Sequence, residues 1–243
     1  GRHRYLLEFH LLQEIVVSAL PVGAYSGWGV CGTNLNHEIA KQVPLLVSGC
    51  PFPHAIQLKG PLIQAMRGPD HIPAVPNLTT SGPMIGYTFF ELDEVARRLA
   101  GNLSAYSHVL TGSEWCSAAL RDVGVRAVTA VQGVDWKVFR PNGQREEDGK
   151  FIVFSGGCFQ VRKAHDAVIA MMRVFMDRHK DVVLYAAWGN PYGHEWGKQS
   201  LMGSPYIDYD GGPLPEMAVK NGLPLDRVAI LPLMTNSNTA DVY

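Results

Sequence analysis

Residues 151–170, FIVFSGGCFQVRKAHDAVIA, constrain this chain more than any other stretch. Phe151-Ile152-Val153-Phe154 is a β-prone apolar run with the length of a buried strand. Ser155-Gly156-Gly157 ends it, because paired glycines reach backbone angles closed to other residues. Arg162 and Lys163 follow, and then Val168, Met171, Met172 and Phe175 fall at i, i+3, i+4 and i+7, one apolar face of a helix. The pattern is strand, glycine turn, basic pair, helix. Such a unit gathers backbone N–H groups, a helix N-terminus and two cations, which suits a phosphate or diphosphate. An ordinary β-α turn with two solvated cations fits the same residues. It is not a Walker loop, since no glycine precedes Lys163 and Ala164 follows it. A phosphate bound here would belong to a ligand and would not be the group transferred by an ATPase.

The rest of the chain repeats the alternation. The sequence predicts strands over 14–20, 43–48, 84–88, 109–111, 128–131, 182–187 and 228–231. Helices are predicted over 34–42, 93–103, 114–123 and 217–221, with Ser113 as an N-cap and Gly124 past the end of the third. Residues 1–13 and 54–80 give no clear element. The polar run 140–149, RPNGQREEDG, reads as a linker. Strand-helix alternation on both sides of it predicts two Rossmann-like, doubly wound parallel-sheet domains facing each other, residues 1–143 and 144–243.

Composition narrows the classes. The chain has 243 residues, 47% of them apolar and 18% charged, so it can bury a sizeable core. A net charge of −1 gives no basic footprint, which speaks against nucleic acid as a partner. Cys31, Cys50, Cys116 and Cys158 form no C-x-x-C pair, so free thiols in the reducing cytoplasm are the expectation, and neither a metal cage nor a disulfide framework. The apolar stretch 5–25 is interrupted by Glu8, His10, Gln13 and Glu14 and reads as neither a membrane span nor a signal peptide. Beginning at Gly1 and ending at Asp241-Val242-Tyr243, the chain reads as a fragment.

Gly27-Trp28-Gly29-Val30-Cys31-Gly32 is literally G-x-G-x-x-G after a predicted strand, the dinucleotide fingerprint. That site also needs an acidic residue about 20 positions on for the ribose, and residues 39–60 contain none. An NAD(P)-dependent oxidoreductase is therefore the second reading, and a non-catalytic nucleotide- or sugar-binding fragment the third.

Five stretches together resemble a known family. They are S-G-W-G-V at 26–30, G-Y-T-F-F-E at 86–91, S-E-W at 113–115, Q-G-V-D at 132–135 with Phe139 and Pro141, and F-S-G-G at 154–157 with R-K-A at 162–164 and Asp166. In this order they resemble the retaining nucleotide-sugar glycosyltransferases of the GT-B fold, the "group 1" transferases. The resemblance implies a donor diphosphate held by the second domain, an acceptor (glycan, lipid or small molecule) against the first, and no metal or cofactor beyond the donor. Peripheral membrane association is compatible with it. By the resemblance, Lys163 is the diphosphate lysine, and Gly27 and Gly29 are loop glycines near the reaction centre. The family's usual basic residue falls on Cys158, so Arg162 has to serve, and Ala164 stands for a glycine. The family's pair of sugar-holding glutamates has no match in 228–243, so the resemblance implies an incomplete second domain and an inactive fragment.

The expected site is therefore Gly156, Gly157, Arg162 and Lys163 on the donor side, with Gly27 and Gly29 near the reaction centre. Arg162 and Lys163 would stabilise charge growing on the departing diphosphate. Glu91 would orient or deprotonate the acceptor hydroxyl, or be a solvated loop carboxylate. Asp135 reads as a turn residue, His37 and Glu38 as a solvated helix face. His54, His71, His108 and His194 read as loop histidines without metal spacing. Trp188, Tyr192 and Trp196 flank a glycine loop at a strand's C-terminal end and would either stack on a ligand or pack in the core.

Overall fold

The computed structural model describes residues 15–48, 52–67, 72–141, 149–191 and 198–242. It divides into two units, Gly1–Val134 and Asp135–Tyr243. Residues 142–148, most of the expected linker, lie outside the described residues.

In the first unit the order is β1 (Val16–Ala19), α1 (Gly27–Ala40), β2 (Leu45–Val47), β3 (Ile56–Leu58), β4 (Leu62–Arg67), β5 (Ile72–Pro73), β6 (Leu78–Thr80), β7 (Met84–Thr88), α2 (Asp93–Leu103), β8 (His108–Thr111), α3 (Glu114–Asp122) and β9 (Ala127–Thr129). The main sheet runs β2-β1-β4-β7-β8-β9, parallel throughout, with β5 added antiparallel to β4. β3 and β6 form a separate parallel pair. The chain leaves β1 towards β2 on one side and later fills the other side from β4 onwards. The gap between β1 and β4 is thus the topological switch point, where open α/β sheets hold ligands outside the strand ends.

β4 is central and buried, with Leu62 and Ala65 both 0% exposed. Its sequence, LIQAMR, is rich in helix formers, so two flanking strands and cover on both faces override local preference. One face carries Leu20, Ile63, Ala65 and Tyr87 against Trp28, Cys31 and Leu35 of α1. A second core joins Met66, Leu99, Leu103, Val109 and Leu120 under α2 and α3. The Ser113 hydroxyl accepts from the Cys116 N–H and starts α3, and Gly124, with φ +82°, ends it.

The expected loop glycines of the 27–32 fingerprint and the expected helix 34–42 need correction. α1 starts at Gly27 and ends at Ala40, so all three fingerprint glycines are helical. The reason is a cap and close packing: the Ser26 hydroxyl accepts from the Gly29 N–H at 3.0 Å, and Gly29 and Gly32 lie against the backbone at Gly23 and Pro21.

The second unit contains β10 (Phe151–Gly156), α4 (His165–Arg178), β11 (Val182–Ala187), α5 (Lys198–Leu201), α6 (Leu214–Lys220), β12 (Val228–Ile230) and α7 (Asn236–Ala240). Its sheet is parallel in the order β10-β11-β12. Ile169, Met172 and Met176 of α4, each 0% exposed, pack with Leu184, Trp188 and Met217. Each such side chain contributes roughly 1.5–3 kcal/mol of burial. Met171, placed on the apolar face from the sequence, is instead 52% exposed. The buried stripe is 165-169-172-176, one step round from the predicted one. Both units are therefore mixed α/β with mostly parallel sheets, as in Rossmann-like folds.

Among the described residues no helix is long and apolar enough to cross a membrane, and no cluster of His, Cys, Asp and Glu could hold a metal ion. Cys31, Cys116 and Cys158 are free thiols.

Candidate functional site: a basic glycine turn

β10 delivers Gly156 and Gly157 to the C-terminal edge of the second sheet. A side chain on Gly156 would meet the Phe154 ring at 2.8 Å. Gly157 takes φ +116° and donates its N–H to the Ala187 carbonyl at 3.1 Å, which ties the turn to the end of β11. The chain then folds through a 3₁₀ turn, Val161–Lys163. Lys163 N–H donates to the Gln160 carbonyl, Ala164 N–H to that of Val161, and Val161 N–H to the Ser200 hydroxyl on α5. Ala164, at φ +56°, is the one described non-glycine residue in the left-handed region, a conformation that glycine accepts more readily.

This path lays the Lys163 stem across Gly157: a Cβ there would be 3.8 Å from Lys163 Cγ and 3.9 Å from Cδ. Arg162 and Lys163 are both exposed. Both cations act on Cys158, whose thiol is nonetheless pushed above its usual range by burial, the larger effect. Gly156, Gly157, Cys158, Arg162 and Lys163 thus share one turn, as a phosphate cradle requires.

One expected contributor is already occupied. Asp166, 4% exposed, sits in the first turn of α4. Its Oδ1 accepts from the Ala167 N–H at 2.9 Å and its Oδ2 from the Ser204 hydroxyl at 2.6 Å. A carboxylate fixed there offsets the positive end of the helix dipole. Anion binding at this turn depends on the cations and the turn's N–H groups more than on the end of α4.

Trp188 is not a stacking platform. It is 2% exposed, its Nε1–H donates to the Ser155 hydroxyl at 2.9 Å, and its ring stacks on Phe159 with centroids 5.2 Å apart. Tyr192 and Trp196 lie outside the described residues, as do His71 and His194.

In the first unit, Gly27 and Gly29 occupy the first turn of α1, the helix that follows β1 at the switch point, and that first turn has no acidic residue. The two glycines differ. Gly27 faces open space, whereas a Cβ on Gly29 would stand 3.1 Å from Gly23. Trp28 packs edge-on against Phe89 and Tyr87, at centroid distances of 4.6 and 5.9 Å. Only Gly27 has the room that ligand approach needs. Glu91 is exposed in the segment between β7 and α2. Asp135 accepts from the Lys137 N–H at 2.9 Å and is a turn residue as expected. Glu38 pairs with Lys41 on the surface, and His37, His54 and His108 are exposed.

Sequence reasoning missed His165, which is 1% exposed inside the basic turn. It lies on the buried 165-169-172-176 stripe of α4, so the helical period carried a signal, but an ionisable residue does not count as apolar in such a pattern. No protein-family model matches this chain, and no curated protein matches it.

Proposed function

We propose that the protein is a retaining nucleotide-sugar glycosyltransferase of the GT-B type whose second unit grips the donor diphosphate at residues 156–163. The observation that carries this reading is the Lys163 stem laid across Gly157, with Arg162 beside it on the same turn. In the reaction the anomeric C–O bond of the donor breaks and a bond forms from the acceptor oxygen to the same face of the sugar. The acceptor proton passes to the departing phosphate oxygen. The main catalytic demand is stabilisation of charge on that leaving group, which Arg162 and Lys163 supply as two cations on one turn. Gly27, at the uncrowded start of α1, lets a ligand approach the backbone, and Glu91 orients the acceptor hydroxyl.

A thermal-shift panel on the 243-residue chain tests the reading. Uridine and guanosine diphosphates and their sugars should raise the melting temperature, and Lys163→Ala should reduce the rise. Stabilisation by NAD(P) alone would replace the reading with the dinucleotide one.

A further inference from the structure

His165 is the first residue of α4, and its ring is enclosed by the turn that carries Arg162 and Lys163. The ring centroid lies 5.4 Å from that of Phe159 and 5.4 Å from that of Trp188. Nδ1 is 3.1 Å from the Gln160 backbone nitrogen and 3.2 Å from the Gln160 carbonyl oxygen. Nε2 is buried without a hydrogen-bond partner. A neutral imidazole has one bare nitrogen. With Nδ1 bare, it accepts the Gln160 N–H and fixes the residue from which the 3₁₀ turn springs. A protonated imidazole has no bare nitrogen: Nδ1 turns from accepting the Gln160 N–H to donating to the Gln160 carbonyl, and the Gln160 N–H loses its acceptor in a buried place.

The surroundings oppose that proton. Lys163 is a cation on the same turn, and Phe159, Gln160 and Trp188 bring no charge. Among the described residues Asp166, the next residue of α4, is the anion that acts on it, and it is already engaged by Ala167 and Ser204. Burial is the largest influence and holds the His165 pKa below its usual value; the Gln160 and Gly156 backbone and Asp166 pull the other way.

We propose that His165 is a positioning residue: neutral, it holds the 156–164 turn in the form that lays Lys163 across Gly157, and its protonation releases the turn and the anion held there. The inference rests on the diphosphate reading for the identity of the anion, but its hold on the turn can be read without any ligand.

Cys158 lies on the turn and serves as the probe. Iodoacetamide labelling, mapped by peptide mass spectrometry, gives its rate in the unsubstituted chain and in His165→Gln. Taking the ratio of the two rates at each pH removes the intrinsic titration of the thiol. From about pH 7.5 to about pH 5.5 the ratio should rise by about fivefold or more. Calorimetric titration with uridine and guanosine diphosphates should show affinity falling at least about twofold more in the unsubstituted chain than in His165→Gln over the same interval. A constant labelling ratio overturns the proposal. A rising ratio with no diphosphate binding at either pH supports the hold on the turn and defeats the diphosphate reading instead. Should His165→Gln not fold, the C2-proton resonance of His165 in the unsubstituted chain decides. Its midpoint must coincide with the rise in Cys158 labelling, and a midpoint at or above about 6.5 overturns the proposal.

Discussion

Gly32 sits directly on the backbone of Pro21. A methyl group on Gly32 would collide with the Pro21 carbonyl oxygen, and would stand 3.1 Å from its carbonyl carbon and 3.3 Å from Leu20 Cβ. Backbone just past the end of β1 cannot swing aside as a flexible side chain can. Gly32→Ala should therefore lower the unfolding free energy by about 3 kcal/mol, the upper end of the overpacking range. Gly27→Ala faces open space and should be neutral or gain up to about 1 kcal/mol from helix propensity. Urea denaturation of both variants measures the contrast; equal stabilities would mean that α1 does not seat on β1 in this way.

Lys163 and Arg162 should differ as ligands for a diphosphate. Lys163 is anchored along Gly157, so Lys163→Ala should cost on the order of 1.5–3 kcal/mol of binding and more than Arg162→Ala does. Cys158→Lys adds a third cation to the turn and should tighten binding with a steeper salt dependence. Calorimetry with nucleoside diphosphates reads all three, and identical affinities would remove the turn from the site.

Tyr106 carries a hydroxyl that is buried without a partner, on a ring whose Cδ1 would stand 3.1 Å from a Cβ on Gly86. Removing an unsatisfied group relieves a desolvation cost, so Tyr106→Phe should leave stability unchanged or raise it by up to about 1 kcal/mol. Burial also pushes the Tyr106 pKa up to about 12. Above the unfolded phenol value of about 10 the unfolded chain ionises first and binds fewer protons, so stability falls as pH rises from about 10 to about 12. The phenylalanine variant should lack that part of the alkaline slope. A loss above about 1 kcal/mol at neutral pH would show that the hydroxyl has a partner.

Asp166 and Ser204 are joined at 2.6 Å across 38 residues of sequence. Asp166→Ala removes both this bond and the cap on Ala167, and should cost about 1–2 kcal/mol. Ser204→Ala should cost less, and the double variant should fall short of the sum by about 0.5 kcal/mol or more. Strict additivity in chemical denaturation would mean that the two groups do not interact.

Much of the framework was legible where pattern and packing agree. β7, α2 and β11 lie where apolar runs, charge spacing and turn residues place them, and Ser113 caps α3 as its hydroxyl allows. The failures have physical causes. LIQAMR favours a helix locally and becomes β4 because the sheet encloses it. β3, β5 and β6 have two or three residues each, too few for any period to show. The glycines of α1 read as loop because propensity says so, while close contact with Gly23 and Pro21 requires glycine in the helix. At the site, Arg162, Lys163 and Asp166 were visible as residue types, but the engagement of Asp166 by Ala167 and Ser204 and the burial of the imidazole inside the turn were not. Their roles come from burial and partners, which a string of residue types does not carry.

β11 has neighbours on both sides, and it also holds the turn. Its Ala187 carbonyl takes the Gly157 N–H, and its Ala186 carbonyl takes the Leu231 N–H from the end of β12. Amide hydrogens along Val182–Ala187 should be the last in the unit to exchange with deuterium, because freeing them means undoing two seams at once. A molecule clamped at Gly157 would have to be shed before one of those seams could part. Occupancy of the turn would then register as slower exchange along a strand that the molecule never touches.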